Sequence, residues 1–328
     1  MKQLIFDFDA LKYAGSAVGE KRSIVVRHPS GIEEQFSTRT MFHGHWRNKD
    51  GGWLAEYNKD KSSPLLPDEF SITDVQTPGP VENVLHTIKS MIYKACAKTD
   101  IDEYVGYIGK GDSFRVEMST LLKYKGQRAA MLRPLHIEAV EEYLIKHHDG
   151  IVVRNLEADD KIVMECYDRS DRTAAILEKD FYGIPKLNLY NTDSYESLYT
   201  GNGYGKLYLD AKGKVKGYGR AFFYFQVLSG DTSDNYKANC FSDVKWADKK
   251  AFAMLAGCKN DSEALQALVK AYKILYPEPK TVVGWRGDEI NIDWFYVLNE
   301  NFQLARLLRW DDDKVDLKKV LEKSGVEV

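Results

Sequence analysis

Apolar runs of strand length alternate along the chain with segments whose apolar residues recur at helical spacing. Residues 2–10, with Leu4, Ile5, Phe6 and Phe8, read as a buried first strand that ends in two acids, Asp7 and Asp9. Strand alternation sends both acids to the same side. Residues 23–27 and 32–37, joined across His28-Pro29-Ser30-Gly31, predict a hairpin. From 38 to 80 the pattern dissolves into polar, Gly- and Pro-bearing sequence. Helical spacing returns at 80–97 through Val84, Leu85, Ile88 and Ile92, and a strand follows at 104–108. An amphipathic helix at 135–146 leads into the β-type run Ile151-Val152-Val153, and a further strand is predicted at 173–177. Residues 187–219, rich in Tyr and Gly, read as β-ribbon around an Ala211-Lys212-Gly213 turn. Helices are predicted at 221–228, 251–256, 262–275 and 293–308, so the last part of the chain reads as a mostly helical second domain.

Composition adds bounds. The chain has 328 residues, enough for two domains or for one with a large elaboration. It is 44% apolar and 29% charged, as in ordinary globular proteins, and its net charge of −3 announces no nucleic-acid binder by itself. Distribution matters more than the sum, because an acidic pocket and basic patches cancel in a total. Cys96, Cys166, Cys240 and Cys258 are scattered without a CxxC pair, which argues against a zinc site or a disulfide framework and fits a reducing cytoplasm. No signal-peptide pattern and no membrane-length apolar run is present, so no membrane partner is expected.

The chemistry concentrates at strand ends. Glu157, Asp159 and Asp160 fall within four residues, after the run 151–153 and at the start of a helical segment. Acids suit a first helical turn, but three so close repel one another unless a cation sits among them, and hard oxygen ligands suit Mg²⁺ or Mn²⁺. Asp7 ends the first strand, and Glu178 and Asp180 follow the strand at 173–177, so three strands deliver carboxylates where α/β sheets bind ligands. Asp231 and Asp234 lie three apart, within reach of one cation. His43 and His45 have no third ligand nearby and read as surface residues. Residues 109–134 are basic, with Lys110, Arg115, Lys123, Lys125, Arg128 and Arg133 against Asp112 and Glu117. Tyr124 beside Lys125 and Arg128 suits phosphate grip with base stacking, although a solvated charged face has the same composition. Lys237, Lys245, Lys249 and Lys250 make a second basic segment.

In combination Asp7, Tyr124-Lys125-Gly126-Gln127-Arg128, Glu157-Ala158-Asp159-Asp160, Glu178-Lys179-Asp180 and Gly230-Asp231-Thr232-Ser233-Asp234-Asn235 resemble the 5′-nuclease family of flap endonucleases and 5′–3′ exonucleases, especially its bacteriophage members. The resemblance implies an α/β fold: a mixed, largely parallel sheet flanked by helices, with a helical arch at about 110–135 and a helix–three-turn–helix element at about 228–256. It divides the chain into a nuclease core, 1–185, carrying the 38–80 insertion, and a mostly helical DNA-binding domain, 186–328. It implies two Mg²⁺ or Mn²⁺ ions, one held mainly by Asp7, Glu157, Asp159 and Asp160, the other by Glu178, Asp180, Asp231 and Asp234. Lys125 and Arg128 match cations that grip the scissile phosphate, Tyr124 a residue that stacks on a frayed base, and Lys110, Arg115, Lys123, Arg133, Lys237, Lys245, Lys249 and Lys250 the backbone contacts. The implied partner is DNA with 5′ ends or flaps, or an RNA–DNA hybrid, met by a monomer in primer removal, in the host cytoplasm for a viral member. The chain departs from the pattern in having no acid directly after the strand ending at Ile108. Either Asp112 substitutes through a shifted loop, or that ligand is missing. Glu178 stands where an Asp is usual, one methylene longer. The glycine-rich turn that binds a monovalent cation is absent from 244–247, so no potassium site is expected.

Two other readings account for part of the pattern. Phe6-Asp7-Phe8-Asp9 imitates the acid pair of haloacid-dehalogenase-type phosphatases, but Leu11 stands where that family wants Thr or Val, and the basic stretch is left without a role. A branched-DNA-binding protein that has lost catalysis would explain the absent acid after Ile108.

Overall fold

The computed structural model describes residues 2–45 and 49–326. One compact unit comprises Met1–Leu11, Ser90–Leu132 and Glu141–Val328, and a six-stranded sheet runs through it. Its strands lie side by side in the order Gly150–Asn155, Tyr104–Ser113, Gln3–Asp7, Arg172–Ile176, Asn188–Asn191 and Ser197–Tyr199. The first five are parallel and the last is antiparallel. This is the mixed, largely parallel α/β sheet flanked by helices that the sequence predicts. Leu4, Ile5 and Phe6 are fully buried, which is why the first strand reads as an unbroken apolar run: a parallel strand covered on both faces has no polar side to show. Helix Ala158–Cys166 packs Ala158, Ile162, Val163 and Cys166 on three central strands.

The connections place the site. From Gln3–Asp7 the sheet grows to one side through Tyr104–Ser113 and Gly150–Asn155, and then to the other through Arg172–Ile176 and Asn188–Asn191. The order reverses between Gln3–Asp7 and Arg172–Ile176, and ligands of open α/β sheets bind beyond the carboxyl ends of strands at such a reversal.

Four features differ from the sequence reading. The first strand stops at Asp7, whose Oδ1 accepts a hydrogen bond of 3.0 Å from Ala10 N and caps helix Phe8–Val18. Asp9 therefore sits in a helical first turn, and the alternation argument does not reach it. The stretch at about 110–135, where a helical arch is expected, carries only one short helix, Phe114–Met118, and a 3₁₀ turn, Gly126–Ala130. Its apolar residues lack helical periodicity, and Thr120 and Leu121 donate their backbone N–H groups to Glu300 instead of to a helix. The described residues of 38–80 are structured: strand Ser71–Pro78 pairs along Glu20–Arg27, which also pairs with Glu33–Phe36, and helices Arg39–His43 and Trp53–Asn58 lie between. Phe36, Phe42, Leu54 and Phe70 form the core of this second compact unit, Lys12–Lys89 with Arg133–Val140. The cut expected at residue 185 falls inside the first unit.

Residues 186–328 carry the expected helices, Arg220–Ser229, Asp248–Leu255, Asp261–Leu275 and Trp294–Ala305, and the expected ribbon at Lys206–Leu209/Val215–Tyr218, together with an unpredicted helix, Leu317–Lys323, and a hairpin at Lys280–Val283/Glu289–Ile292. Every residue from Ala221 to Leu228 is buried, so that helix is the centre of a second core, shared with Leu265, Leu268, Tyr272, Leu298 and Phe302. Among the described residues no helix is long and apolar enough to cross a membrane.

Close packing at the sheet gives a direct test. A Cβ at Gly106 would lie 2.2 Å from the fully buried Phe8 ring. Gly106→Ala is expected to lower stability by about 1–3 kcal/mol in urea unfolding, as overpacked cores do. In the Phe8→Leu background the same change should cost less; equal costs in both backgrounds would refute the packing account.

Candidate metal and nucleic-acid site

Four acids of the first compact unit form a mutually repelling group at the strand ends. Asp7 is 2% exposed, and burial, then the charge of Glu178, push its carboxyl up to about 8. Burial, then Asp7 and Glu178, hold Asp159 well above the usual carboxylate range. Glu178, solvent-reached but hemmed by protein, is raised by the same desolvation. Burial and the charges of Asp234 and Asp231 bring Asp180 to about 7, and the Gln226 amide donates to its Oδ1. Like charges packed this closely raise one another unless a cation lies among them.

A second set of acids carries its own counter-charges. Burial works against ionised Glu157, but Arg115 and Lys125 outweigh it and its pKa is lowered. Arg115 Nη1 lies 3.0 Å from Glu157, and Lys125 Nζ donates to the other Glu157 oxygen. Lys125 also lies 3.6 Å from Asp234, and Arg128 3.2 Å. Asp231, 4% exposed, takes Lys179 at 2.8 Å on one oxygen and the N–H of Ser233 at 2.6 Å on the other, which holds its pKa below the ordinary value against burial. Lys179 was not foreseen as a site cation; its place between Glu178 and Asp180 was the available signal.

Three sequence-derived assignments change. Arg115, expected at the DNA, is fully buried. Its guanidinium makes two bonds of 2.7 Å to Asp160 and donates to the carbonyls of Leu304 and Arg306. Asp160, expected on a metal, is fully buried and also accepts from Leu308 N at 2.9 Å and Glu157 N at 3.2 Å. Both its oxygens are thus committed to the protein. Tyr124, expected to stack on a base, is 2% exposed, with its hydroxyl 2.8 Å from Asp234 and 3.0 Å from Glu157. These residues brace the acids. Asp112 is exposed, three residues beyond Gly109.

The basic residues divide. Lys123, Arg128, Arg133, Lys237, Lys245, Lys249 and Lys250 are exposed. Lys110 is exposed too and pairs with Glu141 at 3.1 Å. Lys125, in the left-handed backbone region at φ 54°, turns its ammonium inward between the acids. The charge and hard-oxygen chemistry of Asp7, Asp159, Glu178 and Asp180 fit a divalent cation. Among the described residues, however, no three His, Cys, Asp or Glu side chains converge into a cage as they stand. The fit is one of charge and donor type, with part of the neutralisation now supplied by Lys125, Arg128 and Lys179.

Two measurements follow from this balance. Arg115→Ala strands a buried Asp160 charge and is expected to cost about 3–5 kcal/mol in unfolding experiments. Arg115→Leu with Asp160→Leu should recover much of the loss; a surface-like cost below about 1 kcal/mol for Arg115→Ala would contradict the bracing role. A carboxyl raised in the folded state contributes stability below its unfolded pKa and loses it as pH rises through the folded value. With EDTA, the melting temperature should therefore fall between pH 5 and pH 8.5, through the values near 7 and 8 of Asp180 and Asp7. Asp7→Asn should flatten that fall, and a wild-type melting temperature unchanged by pH would speak against an uncompensated cluster.

No protein-family profile and no curated protein matches the sequence. Among solved structures, the fold is similar to the bacteriophage T5 D15 protein co-crystallised with metal ions, at 12% identity over 94% of this chain and 90% of that one, TM-score 0.44. It is similar also to T5 5′-exonuclease with bound zinc, at 15% identity over 67% and 78% of the two chains, TM-score 0.40. A third similar structure is the T5 D15 flap endonuclease in a complex with DNA and metal ions, at 13% identity over 67% and 90%, TM-score 0.36.

Proposed function

We propose that this chain is a metal-dependent 5′-nuclease that hydrolyses phosphodiesters of DNA, as a 5′ flap endonuclease, a 5′–3′ exonuclease or both. The observation that carries the reading is the crowding of the acids Asp7, Asp159, Glu178 and Asp180 near the reversal of strand order, bordered by Lys125 and Arg128. The sequence motifs point to the same chemistry. In this reading Asp7, Asp159 and Glu178 hold one Mg²⁺ or Mn²⁺, and Asp180, Asp231 and Asp234 a second, with Glu157 shared in charge with Lys125. Such ions, when bound, polarise a phosphodiester and lower the pKa of a bound water.

The remaining chemistry belongs to the chain. Lys125 and Arg128 face the acids from a turn beside them, and a phosphate entering there meets both cations. The Tyr124 hydroxyl fixes Glu157 relative to Asp234, and Arg115 fixes Glu157 relative to helix Ala158–Cys166. Lys237, Lys245, Lys249 and Lys250, on and before helix Asp248–Leu255, offer exposed charge for a phosphate backbone. DNA with 5′ ends or flaps is the proposed substrate, with an RNA–DNA hybrid as a variant, acted on by a monomer in primer removal.

The test is a 5′-labelled flap duplex and a blunt duplex incubated with Mg²⁺, Mn²⁺ or EDTA. Asp159→Asn is the matched variant, because Asp160 is a structural residue. Metal-dependent cleavage near the flap junction is expected, falling on the order of 100-fold in Asp159→Asn. Mononucleotides from the blunt duplex would assign exonuclease action. Flap binding without cleavage under either metal would make the protein a binding module and overturn the nuclease reading.

A further inference from the structure

Within the strand Tyr104–Ser113, where the chain passes from buried to exposed residues, the backbone at Gly109 meets an acid that no motif placed in the site. Gly109 N donates a hydrogen bond of 2.7 Å to Asp9 Oδ2. A Cβ at position 109 would lie 2.8 Å from that same oxygen and 3.5 Å from Ala158 N, at the start of the helix that carries Asp159. Gly109 is not among the residues with positive φ, so its backbone conformation does not call for glycine. What position 109 lacks is room, and the Asp9 carboxylate takes it. Asp9 is half-buried in the first turn of helix Phe8–Val18, two residues from Asp7, and its charge adds to that of Glu178 in raising Asp7. Asp112, the nearest acid in the following chain, is exposed.

We infer that Asp9 is a further divalent-cation ligand of this site, reaching from helix Phe8–Val18 into the space that a side chain at position 109 would fill. The inference rests on the metal-dependent reading above and deepens it. It gives the site a carboxylate beside Gly109 of strand Tyr104–Ser113, where that strand's own sequence has none. It also makes glycine at 109 a consequence of Asp9: the two positions share one volume, so a carboxylate fits from one side or from the other.

The experiment is Mn²⁺ binding to the metal-stripped full chain, followed by electron paramagnetic resonance and by calorimetry. Asp9→Ala and Asp9→Asn should each weaken Mn²⁺ binding at least about 10-fold. The amide of Asp9→Asn keeps an acceptor for Gly109 N, so this variant reports the lost charge with the loop still anchored, and its melting curve checks that it is folded. Asp9→Ala with Gly109→Asp should recover most of the affinity, whereas Gly109→Asp alone, with two carboxylates in one space, should lower stability and binding together. The inference is overturned if Asp9→Asn binds Mn²⁺ within twofold of wild type while Asp7→Asn does not. It is overturned equally if Asp112→Ala is the variant that loses the ion. Wild type that binds no Mn²⁺ would remove the metal-dependent reading itself, and this inference with it.

Discussion

The buried guanidinium of Arg115 is the contact on which the arrangement of the site depends. It ties its own segment to two others far apart in sequence, through Asp160 and Glu157 on one side and the carbonyls of Leu304 and Arg306 on the other. Burying an ion pair is costly, and removing one partner is costlier still. Such a contact adds little net stability, but it leaves few alternatives: with both Asp160 oxygens fixed, helix Ala158–Cys166 can start in one place only. That start sets where Glu157 and Asp159 stand. Residues 304–308, which take no part in the chemistry proposed, thereby help to hold the acids in register.

Around this anchor the fold tolerates a local conflict. Asp7, Asp159, Glu178 and Asp180 crowd like charge together around the buried Asp7, which a fold optimised for stability alone would avoid. Local rules broken without compensation from the chain usually mark function. The neighbouring acids Glu157 and Asp231 show the alternative, since each has a Lys or Arg within reach and a lowered pKa. The contrast between compensated and uncompensated acids, within one group, is more informative than the number of acids.

Much of this was legible in the sequence, and the rest was not for identifiable reasons. The central strands were legible because Leu4-Ile5-Phe6 and Ala174-Ala175-Ile176 are continuous apolar runs, as strands covered on both faces must be. Acids at their ends were legible from position alone. The duties of Arg115, Asp160 and Tyr124 were not, because each is defined by partners about 30 to 190 residues away, and a basic, aromatic or acidic residue at a motif position looks the same whether it meets a ligand or a neighbour. Asp9 was misplaced because Phe8 continues the apolar run past the true strand end, where the Asp7 cap starts a helix. The unit built on Phe36, Phe42 and Phe70 escaped notice because its aromatics are dispersed at no single period and meet only through tertiary packing.

The placement of that unit has a bearing on how the chain is made. The strand Gln3–Asp7 pairs only with Tyr104–Ser113 and Arg172–Ile176, so its first partner emerges from the ribosome about a hundred residues later. The residues between include a small antiparallel sheet whose aromatic core draws on nearby sequence, and whose contacts close early. During synthesis, then, Leu4-Ile5-Phe6 waits unpaired after the intervening small sheet has closed, the interval in which an apolar strand is most open to wrong partners. The order in which the two units are completed is written into the chain by the place of one insertion, between the first strand of the sheet and the second.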